Sequence, residues 1–278
     1  YGTFSRYGVA SVANSFDQLS ITSDNLEEIY NLANILASKD DKDQNSIKNY
    51  SFTSDFSTLK YSNMKIAIPK EIYTLIEDSN IISNFKKIVD KLKEKGITIE
   101  EIGNEFLQNS LKTYLILSNI EISSNMSRYD ALVYGYRTEE YDTIEEMYGK
   151  SRQEGLGIDM KTRILLGNYL ISAQQKEKNY NTAIEMRKSI KNMVDEIFEN
   201  YDLIMTPTIL FDYSKYSNMD NLTDLFKNEL FTHLPNLSGN PAIQVPISQG
   251  NGLQLIAGRL KDIDVFKGSK LVEEARNE

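Results

Sequence analysis

The chain has 278 residues, 40% of them hydrophobic and 26% charged, with 14 glycines and 5 prolines, a composition that excludes a chain dominated by disorder and can bury a sizeable core. Its formal net charge of -9 argues against a general phosphate-gripping surface, because nucleic-acid affinity rests on Lys and Arg neutralising phosphates. It holds no cysteine, which excludes disulfides, thiolate metal sites and a cysteine nucleophile within these residues, and no apolar run approaches the roughly 20 residues that span a bilayer, so a soluble, cytoplasmic chain with no membrane partner is expected.

Residues 1–20 alternate small, aromatic and polar types without a helical period, which predicts loop and short strand, with Asp17 bonding backbone or Arg6. The cap-like run Ser23, Asp24, Asn25 opens a helix over about 24–37, where Leu26, Ile29, Tyr30, Leu32, Ala33 and Ile35 recur at helical spacing. Residues 38–62 are polar and read as a surface loop or a segment ordered only by its neighbours. Met64 to Pro69 reads as a buried strand, 78–95 as an amphipathic helix with Ile81, Ile82, Phe85, Ile88, Val89 and Leu92 on one stripe, and Ile97 to Ile102 as a second strand; that order predicts a parallel crossover. A helix over about 106–127 carries Tyr114, Leu117 and Ile120, and an aromatic-rich turn follows from Arg128 to Arg137.

The stretch from Ser151 to Ser172 combines a turn, a helix start and a forward-placed arginine. Gly155 and Gly157 are read as permitting sharp backbone conformations, Asp159 as an N-cap or first-turn acid, and Arg163 as lying at i+4 from it. An arginine so placed can hold a carboxylate with two parallel hydrogen bonds; the same spacing equally describes a solvated pair with Asp159. After that stretch a long helical segment is expected to about 199, with Ile190, Met193, Val194, Ile197 and Phe198 at the spacing of a core-facing stripe. Asp202 to Pro207 reads as a short strand, 221–233 as a helix leading into the Pro235 to Ile247 run, Gly252 to Gly258 as another strand and 263–276 as a last helix. The fold class expected is α/β, a mixed sheet covered by helices.

No G-x-S-x-G elbow, P-loop or H-E-x-x-H occurs. His233 is the one histidine, and a single histidine near a helix end is read as structural. Spacing therefore leaves the reaction open. Motif order does more: Tyr1-Gly2, Ser5 to Gly8, Ser15 to Gln18, Lys65 to Glu71, Ser123 to Asp130, Tyr134 to Tyr136, the 151–172 stretch, Tyr201 to Thr208, Asn236 to Ile243 and Gly252 to Ile256 together resemble the amidase-signature family, and within it the glutaminase subunits of glutamyl-tRNA(Gln) amidotransferases. The resemblance runs over nearly the whole chain and implies the C-terminal portion of that fold, 1–278 forming a single amidase-type domain incomplete at its N-terminal side; Tyr1 in place of a methionine fits a fragment.

What the resemblance implies is covalent catalysis by a Ser-cis-Ser-Lys triad that attacks the side-chain amide of glutamine and releases ammonia, with an oxyanion hole for the developing charge. The Gly/Ser-rich segment that carries the two serines is absent here, so no catalytic residue is expected in these 278 and the chain alone is expected to be inactive. Carried over by position, Arg163 matches the clamp for the glutamine α-carboxylate, Tyr114 a pocket tyrosine, and Glu229 an aspartate that meets the α-amino group. The implied partners are glutamine, the other subunits of a heterotrimer, and tRNA held by a partner subunit that also uses ATP and Mg. Glu229 is one methylene longer than the family's Asp, the Gly-Pro that follows Asp-Gln is missing after Gln18, and Asn240 stands where an apolar residue is usual before Pro241. The alternatives are a stand-alone carboxamide hydrolase of the same family and a non-catalytic fragment.

Overall fold

The computed structural model describes residues 1–47, 50, 52, 55–103, 106–172, 177–211 and 226–278. The chain divides into two compact units, the first made of residues 1–9, 18–111 and 187–278 and the second of residues 10–17 and 112–186.

The first unit is built on a mixed sheet of five strands, β1 (Lys65–Pro69), β2 (Thr98–Ile102), β3 (Leu203–Pro207), β4 (Ala242–Ser248) and β5 (Asn251–Ala257), in the order β2-β1-β3-β5-β4. β1 pairs in parallel with both β2 and β3, as the strand, helix, strand order predicted for the first pair, while β5 runs antiparallel to β3 and β4. The apolar runs occupy the middle: Ile66, Ala67, Ile68, Leu203, Ile204, Met205, Leu255 and Ile256 are inaccessible to solvent. Asp202 sets the β1–β3 alignment, accepting from the Lys65 amide at 2.8 Å while its own amide donates to the Lys65 carbonyl at 2.9 Å. Pro246 lies on β4, an edge strand, where a missing amide costs no ladder bond.

Helix α1 (Leu26–Leu36) starts where Asn25 accepts from the Glu27 and Glu28 amides. The short α2 (Ile72–Leu75) follows β1, and α3 (Ser79–Glu94) is capped by Asp78, which accepts from the Asn80 amide at 2.9 Å. Burial of the Ile81, Phe85, Ile88, Val89 and Leu92 stripe, at about 1.5–3 kcal/mol per side chain, holds α3 in place. Gly96, at φ 82°, turns the chain from α3 into β2. Among the described residues of the polar 38–62 stretch, Phe52 stacks edge-on against Tyr30 at 5.3 Å and against Phe266 at 5.8 Å, and Leu59 is buried, so neighbours anchor it at these points.

Helix α4 (Phe106–Met126) runs from the first unit into the second. The second unit adds α5 (Ile144–Gly155) and α6 (Ile158–Leu170), and α7 (Thr182–Ile197) returns the chain to the first. The long helical segment expected after residue 172 is present among the described residues, as the π-helical Glu177–Asn181 leading into α7, which ends at Ile197. The predicted 221–233 helix is corrected: 221–225 lie outside the described residues, and of the rest 226–228 is helical, 229–232 is turn, and α8 spans His233–Ser238. The final helix is α9 (Asp262–Asn277), packed on β4, β5 and α3.

Candidate functional site

In the second unit α6 opens at Gly157, whose backbone is extended at φ -67° and ψ 164° and which offers no side-chain cap. Neither it nor Gly155 takes a positive φ, so the expected sharp glycine turn is corrected. Gly155 ends α5, and its missing side chain admits an aromatic ring: a Cβ there would stand 3.0 Å from Cβ and 3.3 Å from Cδ1 of Tyr136. The Tyr136 hydroxyl donates to Glu154 at 2.9 Å, which raises its pKa, and the Thr138 amide donates to Ser151 Oγ at 3.0 Å. α5 is thus the platform for the aromatic 134–138 segment.

Asp159 is a first-turn acid of α6. Arg163 sits one turn on, its Nε donating to both oxygens of Asp159 at 3.2 and 3.1 Å, and its side chain is only 11% exposed against 45% for Asp159. The pair forms, but the guanidinium is not out in solvent. A turn further along, Gly167 is pressed against α4: an added Cβ would fall on the Asn119 carbonyl oxygen and on Ser123 Cβ. Ser123 Oγ also bonds Asn168 Oδ1 at 2.9 Å. This crossing fixes where along α6 Arg163 stands.

Tyr114 lies on the opposite partner of that crossing, α4, half-buried, with the Phe16 ring edge-on at 5.1 Å. Tyr114, Ser118, Glu121 and Asn125 follow one another at i, i+4, i+7 and i+11, a single helical face. That face carries the 10–17 loop: Glu121 accepts from the Ser15 amide at 2.9 Å, and Asn125 Nδ2 donates to the Val12 carbonyl at 3.0 Å. Within the loop the Asp17 carboxylate accepts from the Val12 and Ala13 amides, both at 3.0 Å, and from Ser11 Oγ at 2.6 Å, so Asp17 bonds backbone as its type predicts.

Glu229 belongs to the first unit. Its side chain is 30% exposed and its carboxylate lies 3.7 Å from Nε2 of His233, which is 4% exposed. The turn is held from both sides. Asn228 Oδ1 accepts from the Leu210 and Phe211 amides at 2.6 and 3.1 Å and its Nδ2 donates to the Phe211 carbonyl at 3.1 Å; Gln254 Nε2, from β5, donates to the Phe231 carbonyl at 2.7 Å. Arg187 of α7 donates to the Leu237 carbonyl at 3.0 Å, placing a cation at the C-terminal end of α8. Asn240, the residue that departs from the family's usual apolar type, donates through Nδ2 to the Ala257 carbonyl at 2.8 Å and so ties the start of β4 to the end of β5.

Of the three residues picked out by position, two, Arg163 and Tyr114, stand on helices of the second unit that pack on each other, and the third stands on a pinned turn of the first. Glu121, Asn125, Asn228 and Gln254 had no separate signal in the chain; their partners lie 17 to 113 positions away.

Comparison with known proteins supplies the family. The amidase family model matches residues 1–266. Over 99% of the chain the sequence is 35% identical to the A-subunit of glutamyl-tRNA(Gln) amidotransferase from Sulfolobus acidocaldarius and 32% identical to that from Lachnospira eligens, in each case spanning 59% of the relative's length. The crystal structure of the corresponding amidotransferase A-subunit from Thermotoga maritima superposes with a TM-score of 0.75 at 26% identity, over 99% of this chain and 56% of that one. With the mixed sheet, the Ser15 to Gln18 loop and the α4–α6 crossing inside a match that runs over nearly all its residues, the chain belongs to the amidase family.

Proposed function

We propose that this chain forms part of a glutaminase subunit of a tRNA-dependent amidotransferase, which hydrolyses glutamine to glutamate and ammonia and passes the ammonia to a partner that converts Glu-tRNA(Gln) to Gln-tRNA(Gln). The observation that carries the reading is Arg163, a guanidinium only 11% exposed and bonded to a carboxylate on its own helix. Asp159 orients it, and a planar two-donor cation in a water-poor setting suits an α-carboxylate, which glutamine has and a simple carboxamide lacks. Glu229 supplies a carboxylate for the α-ammonium group and Tyr114 an aromatic wall for the bound substrate. The names of the relatives support the same reading.

In this proposal the chain binds and orients glutamine, while the Ser-cis-Ser-Lys triad that attacks the amide carbon comes from a segment outside these residues. The net charge of -9 fits tRNA being held by a partner subunit, which by the resemblance also uses ATP and Mg, within a cytoplasmic heterotrimer. The test is to assemble the protein containing this chain with its partners and follow Gln-tRNA formation with glutamine and with free ammonia as nitrogen source. Both nitrogen sources supporting amidation, and glutamine only when this chain is present, is the expected result. Hydrolysis of unrelated carboxamides with no dependence on partners, ATP or Glu-tRNA would favour a stand-alone amidase instead.

A further inference from the structure

Glu229 is a part-exposed carboxylate on an otherwise embedded segment: Asn228 is 1% exposed, Leu230 3% and Phe231 0%. It sits in a turn, closed by the Thr232 amide and hydroxyl on its carbonyl at 3.0 and 2.9 Å, between the helical residues 226–228 and α8. What holds it are two buried amide side chains, one on each side. Asn228, using oxygen and nitrogen together, ties the residue before Glu229 to the backbone of 210–211 just beyond β3. Gln254, 5% exposed on β5, ties the carbonyl two residues after it to the sheet and also meets Thr206 Oγ1 on β3 at 3.3 Å. The Gln254 tie rests on the paired strands β5 and β3, whose register sets Thr206 opposite Gln254, and the Asn228 tie ends on the segment that follows β3. A glutamate has one more rotatable bond than an aspartate, so aiming its carboxylate demands a backbone that does not move.

We propose that Asn228 and Gln254 are positioning residues for Glu229, a two-sided clamp that holds its carboxylate where the substrate's α-ammonium group is bound. This rests on the reading of Glu229 given under Proposed function. The clamp acts through Glu229 alone, which makes it separable from core packing by a double-mutant cycle. In the assembled protein, Asn228→Ala and the isosteric Gln254→Met each raise the KM for glutamine on the order of tenfold, with a smaller change in kcat, since misplacing a binding group by about 1 Å has effects of this order or larger. Glu229→Gln raises the same KM, and neither clamp substitution adds to it in the double variants. Ammonia-supported amidation is the control for an intact assembly. Fully additive effects in the doubles overturn the inference, as does parallel loss of glutamine- and ammonia-supported amidation in both single variants, which would make the amides core packing only. Glutamine use altered by Glu229→Gln but untouched by Asn228→Ala and Gln254→Met overturns the clamp and spares the substrate contact; glutamine use unaltered by Glu229→Gln removes the contact itself and the clamp with it.

Discussion

At the scale of single residues, Arg163 carries the sharpest expectation. Losing the guanidinium should leave a substrate carboxylate short of donors in a poorly hydrated place, and truncating one member of such a pair costs about 2–5 kcal/mol, or tens to thousands in affinity. Arg163→Ala in the assembled enzyme is therefore expected to raise the glutamine requirement by that order while free ammonia, which bypasses the pocket, still supports amidation. Arg163→Lys should recover only part of the loss, because a point charge does not reproduce the fork. Steady-state kinetics with the two nitrogen sources reads the contrast; equal loss of both would assign Arg163 to folding or assembly. The residue itself was legible from its i+4 spacing after Asp159 and from the family pattern. Its burial was not, because an 11% exposure depends on what surrounds a residue in three dimensions, which i+4 spacing does not encode. The same holds for Glu229: its position was legible by likeness, whereas the Asn228 and Gln254 ties depend on strands whose pairing no local spacing reveals.

At the scale of elements, regular periodicity was easy to read and close packing was not. The Ile81, Phe85, Ile88, Val89, Leu92 stripe marked α3, and short β-rich runs marked β1, β2, β3 and β5, because burial of one face or one run is written in the residue types. Helix α5 was missed, although Thr143 and Glu146 carry the T-x-x-E signature of a helix start: Thr143 caps the Glu146 amide at 3.2 Å and Glu146 accepts from the Asp142 amide at 2.9 Å. Gly167 looked like any tolerated helix glycine. Against the structure, the same substitution should have opposite signs at two sites. Gly149 of α5 has open space around an added Cβ, so Gly149→Ala is expected to stabilise by up to about 1 kcal/mol through helix propensity. At Gly167 the methyl would strike a backbone oxygen of α4 that cannot rotate away, so Gly167→Ala is expected to destabilise by about 1–3 kcal/mol. Denaturant titration of the two variants beside the parent decides it, and stabilisation at both sites would disprove the tight α4–α6 crossing.

Helix α9 gives a second expectation at this scale, in pH. The Tyr50 hydroxyl donates to Asp262 at 2.9 Å and the Tyr61 hydroxyl to Glu274, so both ends of α9 are tied by tyrosines. The hydrogen bond to Glu274, with burial and the carboxylate's charge behind it, pushes Tyr61 up to about 12; burial first and then the Asp262 charge raise Tyr50 as well. A folded-state pKa above the unfolded value of about 10 means the contribution is whole below pH 10 and is lost as pH rises through the folded value. The melting temperature is therefore expected to fall across about pH 10–12 on this account, and Tyr61→Phe should make that fall shallower while costing some stability near neutrality. An unchanged alkaline slope in Tyr61→Phe would show that the Glu274 contact does not persist in solution.

At the scale of the whole molecule, what the 278 residues contain bears on what they can do by themselves. There is no cysteine, no G-x-S-x-G elbow and one histidine, held at 4% exposure 3.7 Å from Glu229. No Gly/Ser-rich segment with two spaced serines occurs, and the chain spans 59% of the length of the amidotransferase subunits it matches. The residues assigned to glutamine here are grips and walls: a guanidinium, a carboxylate and an aromatic ring, not a serine, threonine or cysteine activated by a base. Binding groups alone hold substrate and transition state alike, and uniform binding does not accelerate the chemical step. These 278 residues on their own are therefore expected to release no ammonia from glutamine above the uncatalysed background, even at saturating substrate. An enzyme-coupled ammonia assay on the isolated chain tests this directly. Turnover that disappears on substitution within residues 1–278 would mean that a nucleophile and its base do lie among them, and Arg163, Tyr114 and Glu229 would then have to be read again as neighbours of a reacting centre.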